Sequence, residues 1–304
     1  RMIIMKTPIV LSPAAKLIIA PIGDIHFNAP GHDRERFVDA IRWLAETAKK
    51  PDRVVLVPLM GDEFETMSGS ERSGYRSAKF HGSTRSWIEN QMIRDLDSFI
   101  EVTKPIHHLI PSVLSGNHNF TFQESSSGTL VGKSLSRAIA ERLGKPALGI
   151  CGVNVLEMRQ SKNGTGTTPF KIFMHHGFGS ASTKAASIRQ MIGLKEKFPM
   201  CDMYIMGHNH VKIGTTTEGI DFRLNSKTGE WRMVEVVQAF VRSASFLKGY
   251  VEGEYCDDDT GSYVEQKCLN PAGLGVVTAN VRWKEKVDDN GHKRYAGFKV
   301  HVQE

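Results

Sequence analysis

The chain has 304 residues, enough to bury a sizeable core, and an ordinary composition of 40% hydrophobic and 24% charged residues. That balance excludes collagen, coiled coil and wholesale disorder, and no apolar run approaches the ~20 residues of a membrane span. A net charge of +6 favours anionic partners but falls short of a dedicated nucleic-acid patch.

Cys151, Cys201, Cys256 and Cys268 have neither C-x-x-C spacing nor the density of a disulfide framework, which reads as reduced thiols in a cytoplasmic protein. The opening residues lack the basic start, apolar centre and small-residue cleavage site of a signal peptide. The fold reading starts near residue 15. Lys16 to Ile22 is an apolar run suited to a strand buried on both faces, and it ends at Gly23-Asp24-Ile25-His26. Asp33 is a candidate N-cap for a helix with Phe37, Ile41, Leu44 and Ala48 on one face. A second strand, Arg53 to Met60 with an awkward Pro58, ends at Gly61-Asp62-Glu63-Phe64-Glu65.

From about 66 to 86 the chain is polar and basic, carrying Arg72, Arg76, Lys79, His81 and Arg85. It reads as an insertion and a candidate flap over a site, with Arg72, Arg76 and Arg85 as candidate contacts to phosphate. A helix over Thr84–Val102 follows, then a third strand over His108–Leu114 that leads into Gly116-Asn117-His118-Asn119. Ser134 to Leu143 reads as a helix ended by Gly144. Strands are expected over Val153–Met158 and Phe170–Met174, the latter ending at His175-His176, with a helix over Ser187–Lys197. A short strand, Asp202–Met206, ends at Gly207-His208-Asn209-His210. Beyond about 215 the chain reads as mainly β, near 231–247, 274–284 and 295–303.

Strand ends therefore deliver Asp24, His26, Asp62, Asn117, His118, His175, His208 and His210. In open α/β sheets the carboxyl ends of strands are where chemistry is placed. The donors are carboxylate, amide and imidazole with no thiolate, which suits Mn²⁺ first, with Fe or Zn²⁺ as alternatives. They are too many for one ion and about right for two sharing a carboxylate, the clamp used for displacement at phosphorus. Gly132-Lys133-Ser134 lacks the first glycine of a phosphate loop, and Asp257-Asp258-Asp259 lacks the spacing of a calcium loop.

The order Asp24-x-His26, Gly61-Asp62, Gly116-Asn117-His118, His175, Gly207-His208-x-His210 resembles the calcineurin-like metallophosphoesterase superfamily. The resemblance covers residues 17 to about 215. It implies an α/β four-layer sandwich, two mixed sheets face to face with helices on both outer sides. It implies that Asp24, His26 and His210 hold one divalent metal, Asn117, His175 and His208 a second, and that Asp62 bridges them. His175 is preferred to His176 because it directly follows its strand. The activity implied is phosphodiester hydrolysis by a metal-bridging hydroxide, with His118 assisting the leaving group and a nucleotide or DNA as the favoured substrate. A phosphomonoesterase or protein phosphatase of the same fold, or a scaffold that binds metal without turnover, are the alternatives. One departure concerns Asn119, where many family members carry an acid that supports the histidine.

Overall fold

The computed structural model describes residues 2–66, 81–123, 125–164, 166–181, 183–224, 228–250, 263–266, 268, 270–287 and 293–304. Two sheets form its centre. The larger has the order β1-β4-β5-β6-β8-β7, built from β1 (Ile3–Val10), β4 (Cys151–Arg159), β5 (Thr168–His175), β6 (Met203–Met206), β7 (Lys212–Leu224) and β8 (Trp231–Ser243). The smaller has the order β10-β9-β2-β3, from β2 (Lys16–Ile19), β3 (Arg53–Leu56), β9 (Thr278–Val287) and β10 (Lys293–Gln303). Both are mixed: β5, β6 and β8 run parallel, as do β2 and β3, while β4–β5, β7–β8, β2–β9 and β9–β10 are antiparallel.

The period of two along β2 sorts its side chains between two cores. Leu17 and Ile19 face the other sheet and share a core cluster with its Leu156, Met174, Ile205 and Val241. Ile18 faces outward onto α1 (Arg34–Ala48) and α2 (Gly82–Thr103), meeting Phe37, Leu44, Leu96 and Phe99. α3 (Leu135–Leu143) contributes Ala138 and Ile139 to the same cluster. On the far side of the larger sheet, Phe173, Tyr204 and Phe240 pack against Met191 and Leu194 of α4 (Lys184–Lys197). Layer by layer this is helix, sheet, sheet, helix. The architecture is the α/β four-layer sandwich expected from the sequence, two mixed sheets face to face with helices on both outer sides.

The cap of α1 and the end of α3 fall where the sequence puts them, whereas α2 starts at Gly82 and α4 at Lys184, two and three residues ahead of the expected starts. Asp33 accepts from Arg36 N, Ser134 accepts from Arg137 N, and Gly144 closes α3 at φ 64°. The strand expected over 108–114 does not form. Residues Lys104–Leu109 make a 3₁₀ helix, and only Val113 bridges to Leu59 and Ala147. Pro105 and Pro111 are the reason, since neither offers an N–H to a ladder. Pro58 likewise stops β3 at Leu56. Residues 3–10, ahead of the boundary at 15, pair in parallel with β4. No helix among the described residues is long and apolar enough to cross a membrane.

β7 and β8 pair along their whole lengths, from Lys212–Ser243 to Leu224–Trp231, yet β6 covers β8 only from Ala239 to Arg242. The outer half is therefore a two-stranded ribbon. Ile220, Phe222 and Leu224 of β7 share one of its faces with Trp231 and Met233 of β8, all five large and solvent-exposed.

Candidate metal centre

Five motif residues adopt a left-handed backbone that side chains rarely accept: Asp24 (φ 49°), His26 (48°), Asp62 (51°), His208 (75°) and His210 (51°). Each such residue costs on the order of 1–3 kcal/mol, and this kind of strain clusters at sites of chemistry. A lattice of backbone bonds holds them. Asp24 N donates to Gly61 O (2.9 Å), and His26 N to Asp62 O (3.1 Å). Gly207 N donates to His176 O (2.7 Å), joining the fourth and fifth motifs.

The two aspartates extend this lattice with their side chains. Asp24 takes His208 N on Oδ1 and Oδ2 (3.0 and 2.8 Å), and Asp62 Oδ1 takes His118 N (2.7 Å). Gly116 lets the second contact form, because a Cβ there would lie 1.9 Å from Asp62 Oδ1.

The side chains gather into three groups whose nearest ligand atoms lie within 4.8 Å of one another: Asp24–His26–His210, Asp62–His176–His208 and His26–Glu65–His118. In the first, His26 Nε2 is 3.3 Å from His210 Nε2, which is 3.6 Å from Asp24 Oδ1. In the second, His176 Nε2 is 3.2 Å from Asp62 Oδ2 and 2.9 Å from Asn117 Oδ1, and His208 Nδ1 is 2.6 Å from the same amide oxygen.

His175 is not part of the second group. It accepts from Gly177 N at 2.8 Å and lies against Phe178, while the neighbouring His176 is fully buried in the site. Strand parity decides this. Met174 faces the inter-sheet core and Phe173 faces α4, so 176 continues the inner side and 175 the outer.

Glu65 is the site residue that motif matching left without a role. Its Oε1 lies 2.8 Å from His118 Nδ1 and its Oε2 2.5 Å from His26 Nδ1. Asn119, in the position where an acid was expected, sits 3.4 Å from Ser136 Oγ. The support for His118 thus comes from the Gly-Asp-x-x-Glu segment. The spacing Asp62–Glu65 was visible in the sequence, but its partner was not.

Arg85 stands in the first turn of α2, within 3.2 Å of Gln123 Oε1, and belongs to none of the three groups. Arg72 and Arg76 lie outside the described residues. The expected insertion also ends earlier than 86, because α2 begins at Gly82 with His81 as its cap.

Burial and charge divide the titrating groups. Burial, reinforced by the charge of Asp62, pushes Asp24 up to about 6, against the pull of His176 and His26. Burial also works on Asp62, but the His176 hydrogen bond and charge outweigh it and hold this carboxyl well below its usual range. Burial lowers His176, yet Asp62 and Asp24 overcome that and raise it to about 9. Glu65 is pushed up by burial and pulled down further by His118 and His26, to about 2. Burial lowers His210 to about 3 and depresses His208 as well. Glu63, buried behind Asp62 and accepting from Gly61 N at 3.2 Å, is pushed up to about 8 and stays neutral at pH 7.

No protein-family model matches the sequence, and no curated protein does. Among solved structures the chain is similar to Vps29 from Chaetomium thermophilum, at 11% identity and a TM-score of 0.28 over 95% of this chain and 97% of that one. A conserved uncharacterized protein, a predicted phosphoesterase, from Streptococcus pneumoniae TIGR4 matches at 12% identity and a TM-score of 0.31, over 95% and 99%. Wild-type Vps29 complexed with Zn²⁺ from Entamoeba histolytica matches at 11% and 0.34, over 94% and 98%.

Proposed function

We propose that the chain is a calcineurin-like metallophosphoesterase that hydrolyses phosphodiesters with two divalent metal ions. The observation that carries this reading is the placement of Asp62, with one carboxylate oxygen beside His176 and the other on the His118 amide. The residues fit a metal pair. The nitrogen and oxygen atoms of each group converge within a few ångströms from backbones that are strained to bring them there. One site would be held by Asp24, His26 and His210, the other by Asn117, His176 and His208, with Asp62 common to both. Carboxylate, amide and imidazole donors without thiolate can take Mn²⁺, Fe or Zn²⁺, of which Mn²⁺ is the ion proposed.

Two bound cations supply Lewis acidity, which makes water nucleophilic at neutral pH and offsets charge building on phosphate. The chain's own part lies with His118. Glu65 occupies its Nδ1, which leaves Nε2 as the atom able to give a proton or hydrogen bond to the departing alkoxide. The His118 side chain is about a quarter exposed, enough to meet a substrate. Asn117 offers a neutral oxygen, so it adds no charge that would repel phosphate. The net charge of +6 supports an anionic substrate of nucleotide or nucleic-acid type. The unpaired thiols of Cys151, Cys201 and Cys268 support a reducing, cytoplasmic setting.

The test is hydrolysis of bis-p-nitrophenyl phosphate beside p-nitrophenyl phosphate in Mn²⁺. Turnover of the diester should exceed that of the monoester, vanish with a chelator and return with Mn²⁺. A preference for the monoester would move the reading to a phosphomonoesterase. Silence on both esters with every divalent metal would leave only the scaffold.

A further inference from the structure

Behind the ligand loops stands a group of side chains from the end of β8, in the part of the chain that carries no motif. Arg242 is fully buried. Its Nη1 donates to Gly207 O at 2.6 Å and its Nη2 to Gln190 Oε1 of α4 at 2.9 Å. Among the described residues no carboxylate forms an ion pair with it. Burial lowers its pKa to about 10 against the opposing charge of Asp24, so it remains a cation at neutral pH. A buried cation with no carboxylate within ion-pair distance carries a heavy desolvation penalty, which two neutral acceptors and the more distant charge of Asp24 repay only in part. Such a group stays in a fold when something depends on its position.

What it holds is one peptide unit. The carbonyl of the Gly207–His208 peptide accepts from Arg242, and the N–H of the same peptide donates to the Asp24 carboxylate. One peptide plane is therefore gripped on opposite edges by a buried cation and a buried carboxylate. Immediately after it comes the turn in which His208 and His210 take left-handed backbones.

The sheet explains the arrangement. β6 and β8 are parallel neighbours with Met206 opposite Arg242, so both strands end at the same edge. Alternation then turns Arg242 toward α4 and Ser243 toward the site, where its Oγ lies 3.4 Å from Asp24 Oδ2. Ser245 Oγ donates to Asp24 O at 2.8 Å. The end of β8 thus steadies both the carboxylate and the turn.

We propose that Arg242 is a positioning residue for the metal centre, fixing the Gly207–His208 peptide plane so that His208 and His210 reach their separate ligand groups. The inference rests on the two-metal reading above. Gln190 is the second anchor, holding the guanidinium in line from α4. Without the cation the Gly207 carbonyl is left with the Asn209 N–H at 3.0 Å, a contact within the same turn, so this edge of the peptide plane loses its anchor to β8. Residues that support metal ligands in this indirect way typically change affinity by ~10–100-fold when replaced.

The experiment is a titration of metal-free protein with Mn²⁺, followed by the electron paramagnetic resonance of the free ion. Wild type is compared with Arg242→Met, Arg242→Lys and Gln190→Leu. Arg242→Met should weaken Mn²⁺ binding ~10–100-fold. Arg242→Lys, which can still reach one acceptor, should recover part of the loss, and Gln190→Leu should lose several-fold. The visible spectrum of the Co²⁺-loaded Arg242→Met variant should change shape, reporting altered ligand geometry. If Arg242→Met does not fold, the half-buried Gln190 position and the lysine variant decide. Variants that bind Mn²⁺ within twofold of wild type overturn the inference and leave the metal centre standing. A wild type that binds no divalent ion overturns the metal reading and this inference together.

Discussion

Asp62→Asn should abolish diester hydrolysis, lowering kcat/KM by at least ~10³-fold, while the protein still folds. The magnitude follows from the several kcal/mol that a metal clamp supplies at phosphorus, at about 1.4 kcal/mol per tenfold in rate. Asparagine keeps the volume of a side chain that is 2% exposed, and it still offers an oxygen to the His118 amide. It removes the charge that His176 faces at 3.2 Å and with it the carboxylate assigned to both metals. Bound metal, counted by elemental analysis after dialysis against Mn²⁺, should drop below two ions per chain. A variant within tenfold of wild-type kcat/KM would remove Asp62 from the mechanism proposed.

The second large effect belongs to His118 and separates proton donation from simple charge. His118→Ala should lower kcat by ~10²-fold or more on a diester with a poor leaving alkoxide, in the range expected for losing a general acid. With nitrophenolate as leaving group the loss should be much smaller, since that anion departs without a proton. Metal content should not change, because His118 falls outside the two groups assigned to metal. Glu65→Gln should give an intermediate defect, because the amide that replaces the carboxylate can still bond His118 Nδ1 but carries no charge. Equal losses with both leaving groups would show that the ring acts only as a positive donor to phosphate.

The sequence was most informative where chemistry restricts the residue type. A glycine followed by aspartate, asparagine or histidine closes an apolar run at four places, Gly23, Gly61, Gly116 and Gly207, and together with the end of β5 they bring their side chains together in space. Choosing between His175 and His176 needed strand parity. β5 is buried on both faces, so Phe173 and Met174 are equally apolar and give no sign of which side is inner. The role of Glu65 was hidden because its partners His26 and His118 sit in two other motifs. β1 was missed because Pro8 interrupts it, which an edge strand tolerates. β7 was missed because Gly214 and Gly219 blur its alternation. Arg242 had no signal at all. An arginine in an alternating strand reads as a solvent-facing residue, and only the fold places it under the turn that carries His208 and His210.

The ribbon made by the outer halves of β7 and β8 has a consequence for how the protein opens. From Ala239 to Arg242 the β8 backbone has partners on both sides, whereas from Trp231 to Val237 it has β7 alone. A two-stranded ribbon is marginally stable by itself, so its free energy of opening should be far below that of the whole fold. Amide hydrogen exchange should therefore show protection rising along β8 from Trp231 toward Arg242, with the outer amides exchanging by local fraying and the inner ones only on global unfolding. Equal protection along the strand would mean that the outer half is held by something besides β7. Opening confined to the ribbon would leave residues 239–245, and the Asp24 carboxylate they steady, in place.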